Sequence, residues 1–171
     1  MNKSGRVYWI TGLAGSGKTT IGKQVYTRLK EQSDAVVFLD GDMLREAFGH
    51  DLGYSTADRH TSAMRNARLC RMLALQGLDV VCATISMFHS CRAWNRANIS
   101  NYYEIYLRVS KATLITRNQK ELYTGALNGQ VQEVVGMDMD FEEPSQPDLI
   151  IENEATASLE ATVSQILKLP E

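Results

Sequence analysis

Apolar residues along the chain gather in five short runs: Val7–Thr11, Ala35–Asp40, Asp79–Ile85, Tyr103–Val109 and Asp148–Glu152. Several are almost continuous in Val, Ile, Leu and Phe, the pattern of strands covered on both faces. The stretches between them carry apolar residues at helical spacing. They predict helices over Lys18–Gln32, Ala57–Gln76, Cys91–Ser100, Lys111–Asn118 and Ala157–Leu169. The longest has Met64, Ala67, Leu69, Met72, Leu73 and Leu75 as its apolar positions, and Gly77 stands where a helix stop is expected. Strand–helix alternation of this kind predicts an α/β fold, three layers around a five-stranded, mainly parallel sheet. Leu122–Pro144 breaks the pattern, with Gly125, Gly129 and Gly136, weak periodicity and an acidic end. It is expected to be a surface excursion or a mobile lid, because long irregular segments in compact enzymes often serve function.

Composition narrows the class. At 171 residues the chain is expected to form one domain, 1–171, large enough to need no staples. All three prolines fall after residue 143, so none marks an internal boundary. With 18 Lys+Arg against 20 Asp+Glu, the net charge of −2 argues against broad nucleic-acid binding, which depends on neutralising phosphates. No apolar run approaches the ~20 residues that span a bilayer, so no membrane partner is expected. Met1–Gly5 leads straight into Arg6 without the pattern of a signal peptide. Cys70, Cys82 and Cys91 cannot all pair, which fits a reduced, cytoplasmic protein. His50, His60 and His89 show no metal-ligand spacing with them.

Chemistry enters at Gly12-Leu13-Ala14-Gly15-Ser16-Gly17-Lys18-Thr19, a full match to G-x-x-x-x-G-K-[ST]. It follows the first strand and opens the first helix, the context that gives this motif its meaning. Glycines let the backbone curl so that its N–H groups point at an anion, and the helix N-terminus adds its dipole. Lys18 brings a cation to the β/γ-phosphates, and Thr19 offers a hydroxyl to Mg²⁺. The motif alone leaves kinase, GTPase, motor and non-catalytic nucleotide-binding module open. The absence of an N-K-x-D-type signature and the small size weigh against GTPase and motor.

The second apolar run ends in Asp40-Gly41-Asp42. In an open parallel sheet, ligands bind beyond the carboxyl ends of the strands, which brings both carboxylates beside the Gly-rich loop. Asp40 is then placed to hold Mg²⁺, and Asp42 to accept a proton from an attacking hydroxyl. Alternatively, Asp42 N-caps a helix beginning at Met43. Arg45, one turn on, faces either an anionic substrate or solvent.

With these residues in hand, the chain resembles the adenylylsulfate (APS) kinase family over roughly Val7 to Leu167. Gly12–Thr20 is similar to the family's G-L-S-G-A-G-K-T-T, and Leu39–Arg45 to L-D-G-D-x-x-R. Asp51–Ser55 resembles D-L-G-F-S, Asp58-Arg59 the D-R that follows, and Ile85-Ser86 the start of I-S-P. Arg117–Tyr123 is similar to R-D-x-K-G-L-Y, and Gly136–Asp138 falls on the G-I-D at the end of the family's lid. The resemblance implies transfer of the ATP γ-phosphate, with Mg²⁺, to a ribose 3′-hydroxyl of a nucleotide-linked acceptor. It implies Gly12, Leu13, Ala14, Gly15, Ser16, Gly17, Lys18, Thr19 and Thr20 around ATP, with Arg117 against its adenine. Thr19 and Asp40 would hold the metal, and Asp42 would be the base with Lys18 as the catalytic cation. Arg45, Tyr54, Arg59, Ser62, Ile85, Ser86, Lys120 and Val134 would line the acceptor site. The lid would be about residues 122–144, and a homodimer is the implied assembly.

Departures from the family cluster on the acceptor side. Ser62 and Met64 replace a carboxamide and a guanidinium in D-R-x-x-N-x-R-R. Met87-Phe88-His89 follows Ile85-Ser86 where the family continues with proline. In the lid, Leu127 and Gln132 replace two cations, and Val134 replaces a phenylalanine that stacks on the acceptor's adenine. Base–aromatic stacking is worth ~1–3 kcal/mol. These changes imply either an APS kinase with compensating residues or a site retuned for another nucleotide. Cytidine diphosphoramidate kinase, a relative of this fold, sets the second expectation.

Overall fold

The structure is a computed structural model that describes residues 4–154 and 158–169. Five strands form one parallel sheet: β1 (Val7–Thr11), β2 (Val36–Asp40), β3 (Asp79–Ala83), β4 (Tyr102–Arg108) and β5 (Leu149–Glu152), in the order β2-β3-β1-β4-β5. The helices are α1 (Lys18–Lys30), α2 (Gly41–Ala47), α3 (Thr56–Leu75), α4 (His89–Asn98), α5 (Lys111–Arg117), α6 (Leu122–Leu127) and α7 (Leu159–Leu167), with a 3₁₀ turn at Gln119–Glu121. The expected start of the last helix at Ala157 lies outside the described residues.

β1 is central and buried along its whole length. Its period of two sends Tyr8 and Ile10 into one core and Val7 and Trp9 into the other. The first core is closed by Ile21, Val25 and Leu29 of α1 with Val163 and Ile166 of α7. The second is closed by Ala63, Ala67 and Cys70 of α3 with Cys91 of α4. Small residues on α3 let that helix approach the sheet closely. Cys70, Cys82 and Cys91 are free and buried.

Several boundaries differ from expectation by one or two residues, α4 starting at His89 rather than Cys91 among them, and two larger differences have identifiable reasons. The third apolar run stops being strand at Ala83, because Ser86 takes a left-handed backbone (φ 33°) and the chain turns across the carboxyl edge of the sheet. Leu122–Pro144 is not irregular throughout. Its first residues form α6, where the Asn118 carboxamide accepts from the Thr124 amide at 3.1 Å. Six residues including Gly125 are too few to show a readable period. The rest of the segment crosses the carboxyl edge and is tied down on the far side. There the Arg92 guanidinium donates to the Glu142 carbonyl at 2.6 Å.

Candidate active site

In the loop between β1 and α1 the Ser16 amide donates to Leu13 O at 3.1 Å, and the carbonyls are held by side chains. Four consecutive carbonyls are each engaged by a side chain. Lys18 Nζ donates to Leu13 O at 2.6 Å, Tyr123 Oη to Ala14 O at 2.6 Å, Arg117 Nη1 to Gly15 O at 3.0 Å, and Asn153 Nδ2 to Ser16 O at 2.7 Å. Gly17 leads into α1 in the left-handed region (φ 96°), and a Cβ there would sit 2.5 Å from Asn153 Nδ2. A Cβ on Gly12 would sit 2.7 Å from Leu107 O, so the loop lies directly against β4. α1 has no side-chain N-cap and no acidic residue in its first turn. Its leading amides and dipole are therefore open to an anion.

Asp40 ends β2 and is buried. Its Oδ2 accepts from Thr19 Oγ1 at 2.7 Å, and its Oδ1 from the Asp42 amide at 3.0 Å. Asp40, not Asp42, is the N-cap, because α2 begins at Gly41 rather than Met43. The Asp42 carboxylate is thereby left for another partner, and its Oδ2 accepts from Lys120 Nζ at 2.6 Å. Lys120 holds this position from an unusual backbone, since Asn118, Lys120 and Glu121 all have positive φ. Burial pushes the Lys18 ammonium down to about 8, against the opposing pull of Asp40 and Asp42. The hydrogen bond to Asp42 raises Lys120.

Two cavities meet at Gly15, Lys18, Thr19 and Gln119. One, of about 410 Å³, runs over Gly17, Thr20, Arg117, Gln119 and Asn153. The other, of about 360 Å³, runs from Asp40 and Asp42 past Arg59 and Ser86 to the segment after α6. Both are of ligand-site size. In the second, Tyr54 lies beneath two guanidinium groups, Arg45 at 4.4 Å and Arg59 at 5.3 Å from its ring centre. Arg45 is fixed by the Leu52 carbonyl at 3.0 Å and Arg59 by the Glu133 carbonyl at 2.7 Å. Desolvation and the neighbouring Arg45 charge lower Arg59. Ser86 is buried and its hydroxyl lies 2.7 Å from Thr84 Oγ1, while the Ile85 carbonyl accepts from Thr11 Oγ1. Val134 is buried in the wall, its amide and that of Glu133 both bound by the Asp138 carboxylate.

All the residues expected on the acceptor side line the second cavity; of those expected around ATP, Gly15, Gly17, Lys18, Thr19, Thr20 and Arg117 line the first, Ala14 lines the second, and Gly12, Leu13 and Ser16 line neither. Leu13 meets the site through its carbonyl. The edge of Arg117 is taken up by the Gly15 and Asn153 carbonyls, so it splints the loop to the end of β5. Sequence reasoning missed Tyr123 and Asn153, which hold the loop, and Asn66, Phe88 and Phe141, which line the second cavity. Tyr123 lay inside a quoted motif, but its contact with residue 14 depends on topology alone.

The family described as adenylylsulphate kinase matches residues 4–152. The chain belongs to the adenylylsulfate kinase family. It is accordingly a phosphotransferase, an ATP-dependent kinase on the P-loop fold. Among curated relatives of this kinase, the cytidine diphosphoramidate kinase of Campylobacter jejuni is 44% identical over 168 residues, 98% of each chain. The adenylyl-sulfate kinase of Deinococcus deserti is 36% identical, covering 85% of this kinase and 81% of the relative. A Mycobacterium tuberculosis APS kinase solved with AMPPNP and APS superposes with a TM-score of 0.90 at 29% identity, over 98% of both chains.

Proposed function

We propose that this kinase transfers the ATP γ-phosphoryl group to a ribose 3′-hydroxyl of a nucleotide-linked acceptor, and that the acceptor is cytidine diphosphoramidate. One observation supports the transfer: two ligand-sized cavities share Gly15, Lys18, Thr19 and Gln119, and Asp42 lines the second of them. ATP would lie in the first, its triphosphate against the loop amides and Lys18, its adenine on the face of Arg117. The acceptor would lie in the second, its phosphates toward Arg45 and Arg59. Asp42 would take the hydroxyl proton as the new O–P bond forms and the bond to the β-phosphate bridging oxygen breaks, releasing ADP. Lys120 would hold the Asp42 carboxylate in place and face the developing charge. Catalysis of this kind is mostly positioning and charge stabilisation.

Thr19 and Asp40 fit Mg²⁺: hard oxygen donors, one neutral and one anionic, already 2.7 Å apart at the loop. Mg²⁺ keeps several waters and needs few protein ligands. When bound it would neutralise charge on the phosphates. The unpaired cysteines fit a reducing, cytoplasmic setting. Residues 122–144 would act as the lid over the acceptor, and residues 1–171 as one domain.

The choice of acceptor rests on the retuned wall. Val134 stands where the family stacks an aromatic ring on adenine, and the lid lacks two family cations. The 44% identity to the Campylobacter enzyme points the same way. Adenylylsulfate is the second reading, favoured by the close superposition on an APS-bound enzyme. Steady-state kcat/KM with ATP, Mg²⁺ and each acceptor decides between them, with cytidine diphosphoramidate expected to lead. Turnover of neither would defeat the proposal. Asp42→Asn should then lower kcat by ~10²–10⁴-fold with the KM for ATP unchanged; near-normal kcat would remove Asp42 from the base role.

A further inference from the structure

Several polar groups that line the acceptor cavity already have partners in the protein. Thr84 Oγ1 and Ser86 Oγ lie 2.7 Å apart, Arg59 donates to the Tyr54 and Glu133 carbonyls at 2.9 and 2.7 Å, and Lys120 donates to Asp42 at 2.6 Å. The Asn66 side chain, which also lines this cavity, has no hydrogen-bond partner among the described residues. It is 3% exposed and belongs to the face of α3 that packs Ala63, Ala67 and Cys70 into the second core. Its Oδ1 is closed off and lacks a donor, so the carboxamide nitrogen is the atom that reaches the cavity. Arg59, Ser62 and Asn66 follow at helical spacing, and burial is deepest at Asn66. A buried carboxamide with neither end paired costs stability, a cost that Ala63 and Ala67 on either side of it avoid. Such a group is accounted for when a ligand supplies a missing bond.

We infer that Asn66 is a binding residue for the phosphoryl acceptor, whose carboxamide N–H donates a hydrogen bond to an oxygen of that molecule. This rests on the proposed nucleotide-linked acceptor and adds a contact one helical turn below Ser62. The donor is neutral and held by close packing on a rigid helix. An oxygen of a phosphoryl group, of the ribose or of a base carbonyl satisfies it equally, since each offers lone pairs to an amide N–H. A carboxylate in the same place would turn an oxygen toward that oxygen instead.

The test is steady-state kinetics of the wild type, Asn66→Leu and Asn66→Asp, with whichever of cytidine diphosphoramidate and adenylylsulfate the wild type uses better. Asn66→Leu removes the donor at similar volume, with Asn66→Ala in its place should leucine not fit. It should raise the KM for the acceptor about tenfold and leave the KM for ATP unchanged. Asn66→Asp keeps the shape and exchanges the N–H for an oxygen. At pH 8 it should lose at least as much as Asn66→Leu. As pH falls, its kcat/KM for the acceptor, relative to wild type at the same pH, should recover, because a protonated carboxyl donates again. An asparagine that only packs predicts equal losses for ATP and acceptor and no such recovery. Competition by the nucleoside 5′-monophosphate of the same acceptor locates the oxygen. Weaker competition in Asn66→Leu puts it on the base, ribose or first phosphate, and unchanged competition puts it on the terminal group. An acceptor KM unchanged in the variants overturns the inference while leaving the kinase reading intact. A wild type that phosphorylates no nucleotide acceptor overturns both.

Discussion

Lys18 shows how one side chain answers to opposing demands. The loop needs a cation beside the phosphates, yet burial penalises the charge and lowers the ammonium to about 8. Below that pH the folded protein carries the charge that phosphate binding requires. Between about 8 and the ordinary lysine value, the unfolded chain holds a proton that the folded one has released. Stability should therefore rise with pH across this window, while the hold on ATP falls. Measured together, kcat/KM for ATP should drop about tenfold per pH unit above 8 as the unliganded protein's urea midpoint shifts upward from this group. Bound triphosphate should move the ammonium back up, so kcat at saturating ATP should stay flat to higher pH than kcat/KM. A kcat/KM profile flat to pH 10 would contradict a buried, phosphate-facing Lys18.

At the scale of elements, the loop's shape is imposed from outside by α5, α6 and the end of β5. Asn153, just after β5, donates to Ser16 O, and Gly17 allows that approach because it has no Cβ. Asn153→Ala should leave the amides less well aimed and raise the KM for ATP by about 3–10-fold, the worth of one net hydrogen bond. The KM for the acceptor should not change; equal rises in both would assign Asn153 to general stability instead. This dependence explains what could be read in advance. The strands were legible because burial on both faces writes itself as unbroken apolar runs, and the loop because its glycines and Lys18 are adjacent in sequence. Asp40 and Asp42 followed from the rule about strand ends, although the cap fell to Asp40 rather than Asp42. Asn153, Tyr123 and Asn66 were not legible, because the first two act across 137 and 109 positions and the third through burial that only the packed helix reveals. Val134 was legible as a departure, but its place in the cavity wall depends on the Asp138 carboxylate that folds the turn around it.

Across the whole molecule, buried charges link the sheet to the segment that follows α6. Glu104 on β4 is 2% exposed and faces Arg92 at 3.5 Å and Arg96 at 3.0 Å, both on α4. Arg96 also reaches Asp148 at 3.2 Å, and Arg92 reaches the Glu142 carbonyl in the segment that follows α6. One carboxylate thus ties β4 to α4, and Arg92 ties α4 to the segment that follows α6. Burial raises Glu104 above the usual carboxylate range, the two arginines opposing it. Its folded form binds a proton more readily than the unfolded chain does. Stability should therefore fall as pH rises from the ordinary glutamate value through the raised one, then level off. Glu104→Gln should lack this decline, because its side chain stays neutral at every pH. In a double-mutant cycle, Arg92→Met with Glu104→Leu should cost less than the two single changes summed, since an apolar pair of similar size needs no compensation. Additive losses would mean that the two side chains act separately, and that the hold of Arg92 on the Glu142 carbonyl does not depend on the charge inside the sheet.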